Sequence, residues 1–399
     1  MYEYLDASQR EQVSCFSSLL KNLSERSGEW EINEGVDQQS IDLLASEGIL
    51  GGYVSQEYGG AGWDALTYGI LNLMAGQFSP SLTGLFNVHF MVTKTIEKWG
   101  TESQKAKWLP RLASGEIIGA FALTEPEVGS DIQSVNTTYT ISDQGVKLTG
   151  TKKWITFGAV ADVFLVFGKQ EEAGTVYLVE KGTEGFEVEP IKSMLGFRGA
   201  HLARLKFDNC LLHEDQLIGK PGMALSFIAP YALRYGRLSV AFASLGILKG
   251  GMEEASAYAN ERITFGKKLV DQPIIQELLA NMGMAYESAK FFCNKAAESI
   301  EHDLPKSMEA VMTAKYYASK MAAKHIPEAI QVMGAAGCFE DNILPRLYRD
   351  AKIMEVVEGS NPVLVQFLGK HYAIKSRQEK LNDFNKKHSV SQYHLTPGV

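Results

Sequence analysis

The stretch IIGAFALTEPEVGSD, residues 117–131, marks the point where the texture of this 399-residue chain changes from helical to extended. Its first seven residues are all apolar or glycine, as in a short buried strand. They run into Thr124, a proline-bounded turn and the pair Gly129-Ser130. Exposed backbone amides beside small residues can donate to ring heteroatoms of a ligand or to a carbonyl oxygen. The loop therefore reads either as a plain connection between strands or as a ligand cradle.

Six more segments of strand length follow, at 136–142, 146–150, 163–169, 176–181, 186–191 and 201–212, punctuated by Gly and Asp. With 117–123 they predict a compact β-barrel or sandwich over residues 117–222. Upstream, apolar residues recur at spacings of three and four around Ile41, Leu43, Leu44 and Ile49, and again from Leu66 to Leu73. EYGGAG (57–62) and Phe78-Ser79-Pro80-Ser81 punctuate this helical block, which predicts an N-terminal domain over 1–116. Downstream, helical tracts near 223–264, 273–301, 307–335 and 344–376, broken at Gly266, Pro273, Pro305 and Gly337, predict a four-helix bundle over 223–376. From Arg377 the chain is polar, and with Pro397-Gly398 near its end the expectation for 377–399 is an irregular, loosely attached tail. The fold class is thus a multi-domain α+β protein. No GxGxxG follows a strand, so a nucleotide cofactor would bind outside a Rossmann fold.

A composition 45% hydrophobic supports a large core, and a net charge of −8 without a basic cluster argues against nucleic acid. No run approaches the roughly 18 apolar residues of a membrane span, and the polar start MYEYLDASQREQ lacks the regions of a signal peptide. A cytoplasmic protein without a membrane partner is expected. Cys15, Cys210, Cys293 and Cys338 form no CxxC spacing and read as reduced thiols, and the scattered histidines offer no metal-ligand pair. No metal is expected.

RDAKIMEVVEGS (349–360) places one carboxylate, Glu358, before a Gly-Ser pair in an apolar setting of Ile353, Val356 and Val357. Most glutamates before glycine are solvated helix ends. A carboxylate can nevertheless remove the weakly acidic proton beside a thioester carbonyl if burial raises its basicity and donors hold the carbonyl oxygen.

ALTEPEVGSD (122–131) closely resembles the flavin-contact signature of the acyl-CoA dehydrogenase superfamily. EYGGAG (57–62), GTKKWIT (150–156), NERITFGKKL (260–269) and QVMGAAG through VVEGS (331–360) match the same family in the same order. The resemblance spans about residues 5–376. It implies the same three domains, FAD as cofactor, and a homodimer or homotetramer. By motif it implies that Phe121, Leu123, Thr124 and Ser130 line the flavin and the thioester, with Trp154 and Thr156 on the other side of the isoalloxazine. Arg262, Thr264 and Phe265 would reach the FAD of a neighbouring subunit, and Gln331 and Gly334 its adenine and pyrophosphate side. Ser360 would also face the cofactor, and Ser130, Arg234, Arg237 and Gly359 the substrate. Glu358 falls where many members carry the base that takes the α-proton while a hydride leaves the β-carbon for flavin N5. Other members carry it at the position of Gly236, and glycine cannot do this job.

Asn361-Pro362-Val363-Leu364 departs from the family's usual polar run after the base, and Arg234 and Ala200-His201 stand where other residues are usual near the substrate arm. The segment Ser79 to Gly100 is similar to relatives beside polyketide and non-ribosomal peptide assembly lines, in the branch that oxidises acyl groups tethered to a carrier protein. Some of these make hydroxymalonyl, aminomalonyl or methoxymalonyl extender units. The resemblance thus implies a dehydrogenase of a short or functionalised thioester on an acyl carrier protein. The alternatives are a short-chain acyl-CoA dehydrogenase passing electrons to an electron-transfer flavoprotein, a monooxygenase using oxygen on the same scaffold, and a non-catalytic scaffold. An acidic carrier would need a local basic face, for which Arg198, Arg234 and Arg237 are the candidates. His89 reads as a packing histidine or one facing the active site, and His201 as a surface or packing one.

Overall fold

A computed structural model of the chain describes residues 5–304 and 306–389, with side chains as far as Arg377. Pro305 and Pro397-Gly398 lie outside the described residues. Six helices come first: α1 Ala7–Ser24, α2 Ser27–Asn33, α3 Gln38–Ser46, α4 Ala65–Gly76, α5 Pro80–Trp99 and α6 Glu102–Ala113. Short polar side chains start most of them. Asp6 and Thr101 form capping boxes with Gln9 and Gln104, Asp37 and Asp64 accept from backbone N–H groups in the first turn, and Pro80 opens α5. Nearly all of α5 is buried. Thr83, Thr93 and Thr95 tolerate this because each hydroxyl donates to a carbonyl one turn back.

Seven strands follow: β1 Gly119–Ala122, β2 Thr138–Ser142, β3 Gly145–Ile155, β4 Val163–Gln170, β5 Ala173–Glu180, β6 Phe186–Pro190 and β7 Ala203–Leu212. They form one sheet in the order β1-β4-β2-β3-β7-β6, with β5 on the other flank of β4. β1 runs parallel to β4, while β3 and β7 are antiparallel with register shifts at Leu148/Gly150 and Lys152/Ile155. These bulges bend the sheet into a half-barrel and aim the end of β3 outward. The expected strands are all present, and the barrel or sandwich is this single curved sheet.

The C-terminal block holds α7 Ala229–Glu261, a hairpin of β8 Ile263–Thr264 and β9 Lys267–Lys268, then α8 Pro273–Glu301, α9 Ser307–Met333, α10 Leu344–Met354 and α11 Asn361–Ser389. Two expectations are corrected here. The tract 344–376 is two helices, because Glu358 and Gly359 adopt left-handed φ values of 56° and 90°, which an α-helix cannot accommodate. The region after Arg377 continues as helix to Ser389, since Lys, Arg, Glu and Gln are good helix formers and no Gly or Pro interrupts them there.

One apolar cluster runs through α1, α4, α5, the sheet and the bundle, so the three blocks share a core. His89 is a seam within it. Gly119 N–H donates to its Nδ1 (3.3 Å), leaving Nε2 to donate to Leu112 O (3.1 Å), and burial pushes the imidazole down to about 4. It is neutral and structural. His201 donates from Nε2 to Val36 O (2.8 Å) and packs against Gly35, joining the α2–α3 loop to the sheet.

Candidate active site

Helix α5 acts as a ruler. Gly84, Asn87 and Met91 fall on one face, within about 11 Å along the axis at ~1.5 Å per residue. A Cβ at Gly84 would lie 2.9 Å from Thr156 Cγ2 and 3.1 Å from the Phe197 ring. Asn87 Nδ2 donates to Glu358 Oε1 (3.4 Å). A Cβ at Gly236 on α7 would lie 2.5 Å from Glu358 Oε2 and 2.8 Å from Met91 Sδ. One helix face thus brings the Thr156 end of β3 and the Glu358 carboxyl to the same side of the molecule.

Glu358 sits on the turn between α10 and α11. Its Oε2 is buried without a hydrogen-bond partner, and so is Asn87 Oδ1 beside it. Burial pushes the carboxyl up to about 7, against the opposing pull of Arg237, the Asn87 amide and Lys315. A carboxylate so placed is a stronger base than a solvated one, with one oxygen free to receive a proton. Arg237 donates from Nε to the Glu358 carbonyl oxygen (3.1 Å) and lies near Gly359. Lys315 of α9 reaches the same turn from beneath, with Nζ 2.9 Å from Gly359 O.

Asn87 and Lys315 escaped the sequence reading. Lys315 left a signal, because it interrupts the buried stripe of Val311, Ala314, Ala318 and Ala322 with a charge. Asn87 left none beyond its segment.

The loop 122–131 and strand β3 meet through backbone and side-chain hydrogen bonds. Lys153 N–H donates to Thr124 O (2.9 Å), and the buried Lys152 Nζ donates to Leu123 O (3.0 Å) and Glu125 Oε1 (2.7 Å). Burial alone would raise the Glu125 carboxyl, but Lys152, Thr137 and the Asn136 N–H hold it below its ordinary range. Phe121 and Leu123 are buried, Thr124 and Thr156 partly so, and Ser130 is exposed. Trp154 takes a left-handed φ of 63° and is 44% exposed.

Other residues lie elsewhere. Arg234 pairs with Asp303 (3.0 Å) and Ser307 Oγ (3.1 Å) and packs over Tyr231 and Tyr235. Arg198 pairs with Glu31 and donates to Met194 O. With Arg237 turned onto Glu358, the three arginines form no free basic face. Gly359 and Ser360 are partly buried on the turn, and Ser360 O accepts from Val363 and Leu364 N–H at the start of α11. Pro362 falls in that first turn, where its missing donor costs little. Arg262, Thr264 and Phe265 lie on the β8–β9 hairpin. Gly236, which touches Glu358, is on the same continuous helix 26 residues before Arg262, about 39 Å away along α7. Gln331 and Gly334 end α9 beside the second apolar cluster, which also contains Ala259 and so shares the hairpin's end of the bundle.

Family models for the N-terminal, middle and C-terminal domains of acyl-CoA dehydrogenases match residues 10–116, 120–210 and 228–373. The chain is 36% identical over 350 residues to an acyl-CoA dehydrogenase of Bacillus subtilis (strain 168), covering 86% of this chain and 92% of that one. The chain belongs to the acyl-CoA dehydrogenase family. The solved butyryl-CoA dehydrogenase of Megasphaera elsdenii superposes with a TM-score of 0.89 at 30% identity, covering 92% of this chain and 99% of the other. FkbI, described as acting in biosynthesis of the methoxymalonyl extender unit of the FK520 polyketide, superposes with a TM-score of 0.84 at 30% identity, covering 90% and 99%. As an acyl-CoA dehydrogenase family member, the protein is an FAD-dependent oxidoreductase acting on CH–CH groups. Its residues fit that cofactor. An exposed indole held at a strained φ offers a flat wall, Gly129 leaves open space where a side chain would stand, and the loop is locked to β3 by a buried ion pair. Among the described residues no group of three or more His, Cys, Asp and Glu could hold a metal ion, and no helix is long and apolar enough to cross a membrane.

Proposed function

We propose that this enzyme dehydrogenates a short acyl thioester bearing a polar substituent, carried on an acyl carrier protein, with Glu358 removing the α-proton. The observation that carries the reading is Glu358 Oε2, buried and without a donor, on a carboxyl whose basicity burial has raised. FAD, when bound by Phe121, Leu123, Thr124, Ser130, Trp154, Thr156 and Ser360, supplies the hydride acceptor. Arg237 and Gly359 fix the turn beside the substrate, and the resemblance adds Ser130 and Arg234 as substrate contacts, Arg234 being held by Asp303 and Ser307. Asn87 Oδ1, a second buried acceptor without a partner next to the base, suits a hydroxyl or amino group on the acyl chain better than a bare methylene. The likeness to FkbI supports the biosynthetic setting.

A second reading, a short-chain acyl-CoA dehydrogenase serving an electron-transfer flavoprotein, draws support from the −8 charge and the paired state of Arg198, Arg234 and Arg237. In the first reading the acceptor is an electron-transfer flavoprotein or oxygen. A homodimer or homotetramer in the cytoplasm suits both, because one protomer keeps Arg262, Thr264, Phe265, Gln331 and Gly334 at the opposite end of the bundle from Glu358. Anaerobic bleaching of the flavin by acetyl to hexanoyl groups and their hydroxy and amino derivatives, each on CoA and on holo carrier protein, decides between them. Bleaching by carrier-bound polar acyl groups alone is expected, and equal bleaching by the plain CoA esters would replace the first reading with the second.

A further inference from the structure

Lys315 is wholly buried in the middle of α9, among Val311, Met312, Ala318, Ser319 and Ala322. An ammonium there is costly unless every proton finds an acceptor. Its Nζ has three: Gly359 O at 2.9 Å, Asn361 Oδ1 at 3.0 Å and Glu355 O at 3.3 Å. The network closes on itself, since Asn361 Nδ2 donates to Ser319 Oγ (3.1 Å) and Asn361 N–H to Glu355 O (2.9 Å). All three acceptors belong to the 355–361 turn between α10 and α11. Glu358 occupies that turn in a left-handed conformation that costs about 1–2 kcal/mol for a residue with a Cβ.

We infer that Lys315 is a positioning residue for proton abstraction: its ammonium ties the 355–361 turn in the form that drives the Glu358 carboxyl inward against Gly236 and Asn87. The inference rests on Glu358 being the base, and not on which acyl group or carrier is used. Charged and titratable groups reach Glu358 from each packed element, Arg237 from α7, Lys315 from α9 and Tyr68 from α4, while Lys315 faces Glu355, Glu358 and Arg237. Arg237 holds the Glu358 carbonyl from one side and Lys315 holds Gly359 and Glu355 from the other, so the two clamp the turn. Burial pushes the Lys315 amine down to about 7, and Glu358, Glu355 and the three acceptors favour its protonated form. Lys315 also opposes the upward push of burial on Glu358. Its removal therefore raises the Glu358 pKa further as well as loosening the turn.

The test is infrared titration of the FAD-loaded, glutamate-labelled enzyme, with the carboxyl band of Glu358 assigned by its loss in Glu358→Gln. In Lys315→Met the midpoint should rise by about one pH unit or more, and the limiting rate of anaerobic flavin bleaching at pH 7 by the fastest thioester of the substrate panel should fall about tenfold or more with little change in the half-saturating concentration. Lys315→Arg, which keeps the charge but misplaces the donors, should restore the midpoint and leave the rate low. If Lys315→Met does not fold, Lys315→Gln removes the same charge with a smaller packing change and should raise the midpoint in the same direction. An unchanged midpoint in a folded neutral variant overturns the inference. Full activity of Glu358→Gln would instead remove the base assignment, while the infrared midpoint still reports whether Lys315 governs that carboxyl.

Discussion

At position 236 the absence of a side chain is a requirement set by the base, because a methyl there would stand 2.5 Å from Glu358 Oε2. The neighbours that must yield are the functional carboxyl itself and the flexible Met91 side chain. Gly236→Ala should keep the fold and the flavin absorbance, since α7 is a regular helix there and alanine favours helix, while kcat falls about 10–100-fold from a displaced base. Flavin content and single-turnover bleaching of the same preparation separate the two effects, and unchanged bleaching would show that the carboxyl has room to move. Glu358 was legible in the sequence through its motif. Gly236 was singled out with it, as the family's other position for the base, but Asn87 and Lys315 were not, because they lie 271 and 43 positions away and meet it only through packing of α5 and α9. Lys315 could have been found, since a lysine in an otherwise apolar helical stripe signals a buried, matched charge.

Helices and strands were readable where periodicity and capping agree. The seven strands and α7, α8 and α9 follow from alternation, β-branching and the breaks at Gly266 and Pro273. The break between α10 and α11 was marked by Gly359-Ser360 and Pro362, a helix stop followed by a start, yet the tract 344–376 ran the two helices together; Lys315 and Arg237 from other helices hold the turn that separates them. The helical continuation to Ser389 was missed through polarity being mistaken for irregularity. The loop 122–131 depends on the buried Glu125–Lys152 pair, whose side chains are shielded from solvent and whose remaining bonds go to Leu123 O, Thr137 and Asn136 N–H. Lys152→Met leaves Glu125 as an unpaired buried carboxylate and should cost about 3–5 kcal/mol. Denaturant unfolding measures that loss, and FAD affinity should fall with it. A destabilisation below about 1 kcal/mol would mean that the loop holds its shape without the pair.

Across the whole molecule the motif residues divide between two ends of the C-terminal bundle. Thr156 and Glu358 lie along α5, whereas Arg262, Phe265, Gln331 and Gly334 gather where α7 and α9 end. Phe265 is 98% exposed at the hairpin tip, which suits a residue that meets another copy of the chain. Arg262→Ala should therefore lower FAD occupancy without lowering the stability of the apoprotein, because its guanidinium is exposed and supports no core contact. Absorbance ratios together with apoprotein melting check this, and full occupancy would detach Arg262 from the cofactor. The family and the order of its domains were thus open to reading from the chain, while completion of the site by a second copy is a proposal that rests on where these residues lie. The central claim, that Glu358 is the base of an acyl-thioester dehydrogenase, is tested most directly by single-turnover anaerobic bleaching of wild type and Glu358→Gln across pH with the fastest thioester of the substrate panel. The carboxyl must be ionised to act, so the wild-type rate should rise with pH through about 7 and level off, while the variant retains FAD and is slower by about 10²–10⁴-fold at every pH. A variant that bleaches as fast as wild type, or a wild-type rate flat from pH 5 to 9, would contradict it.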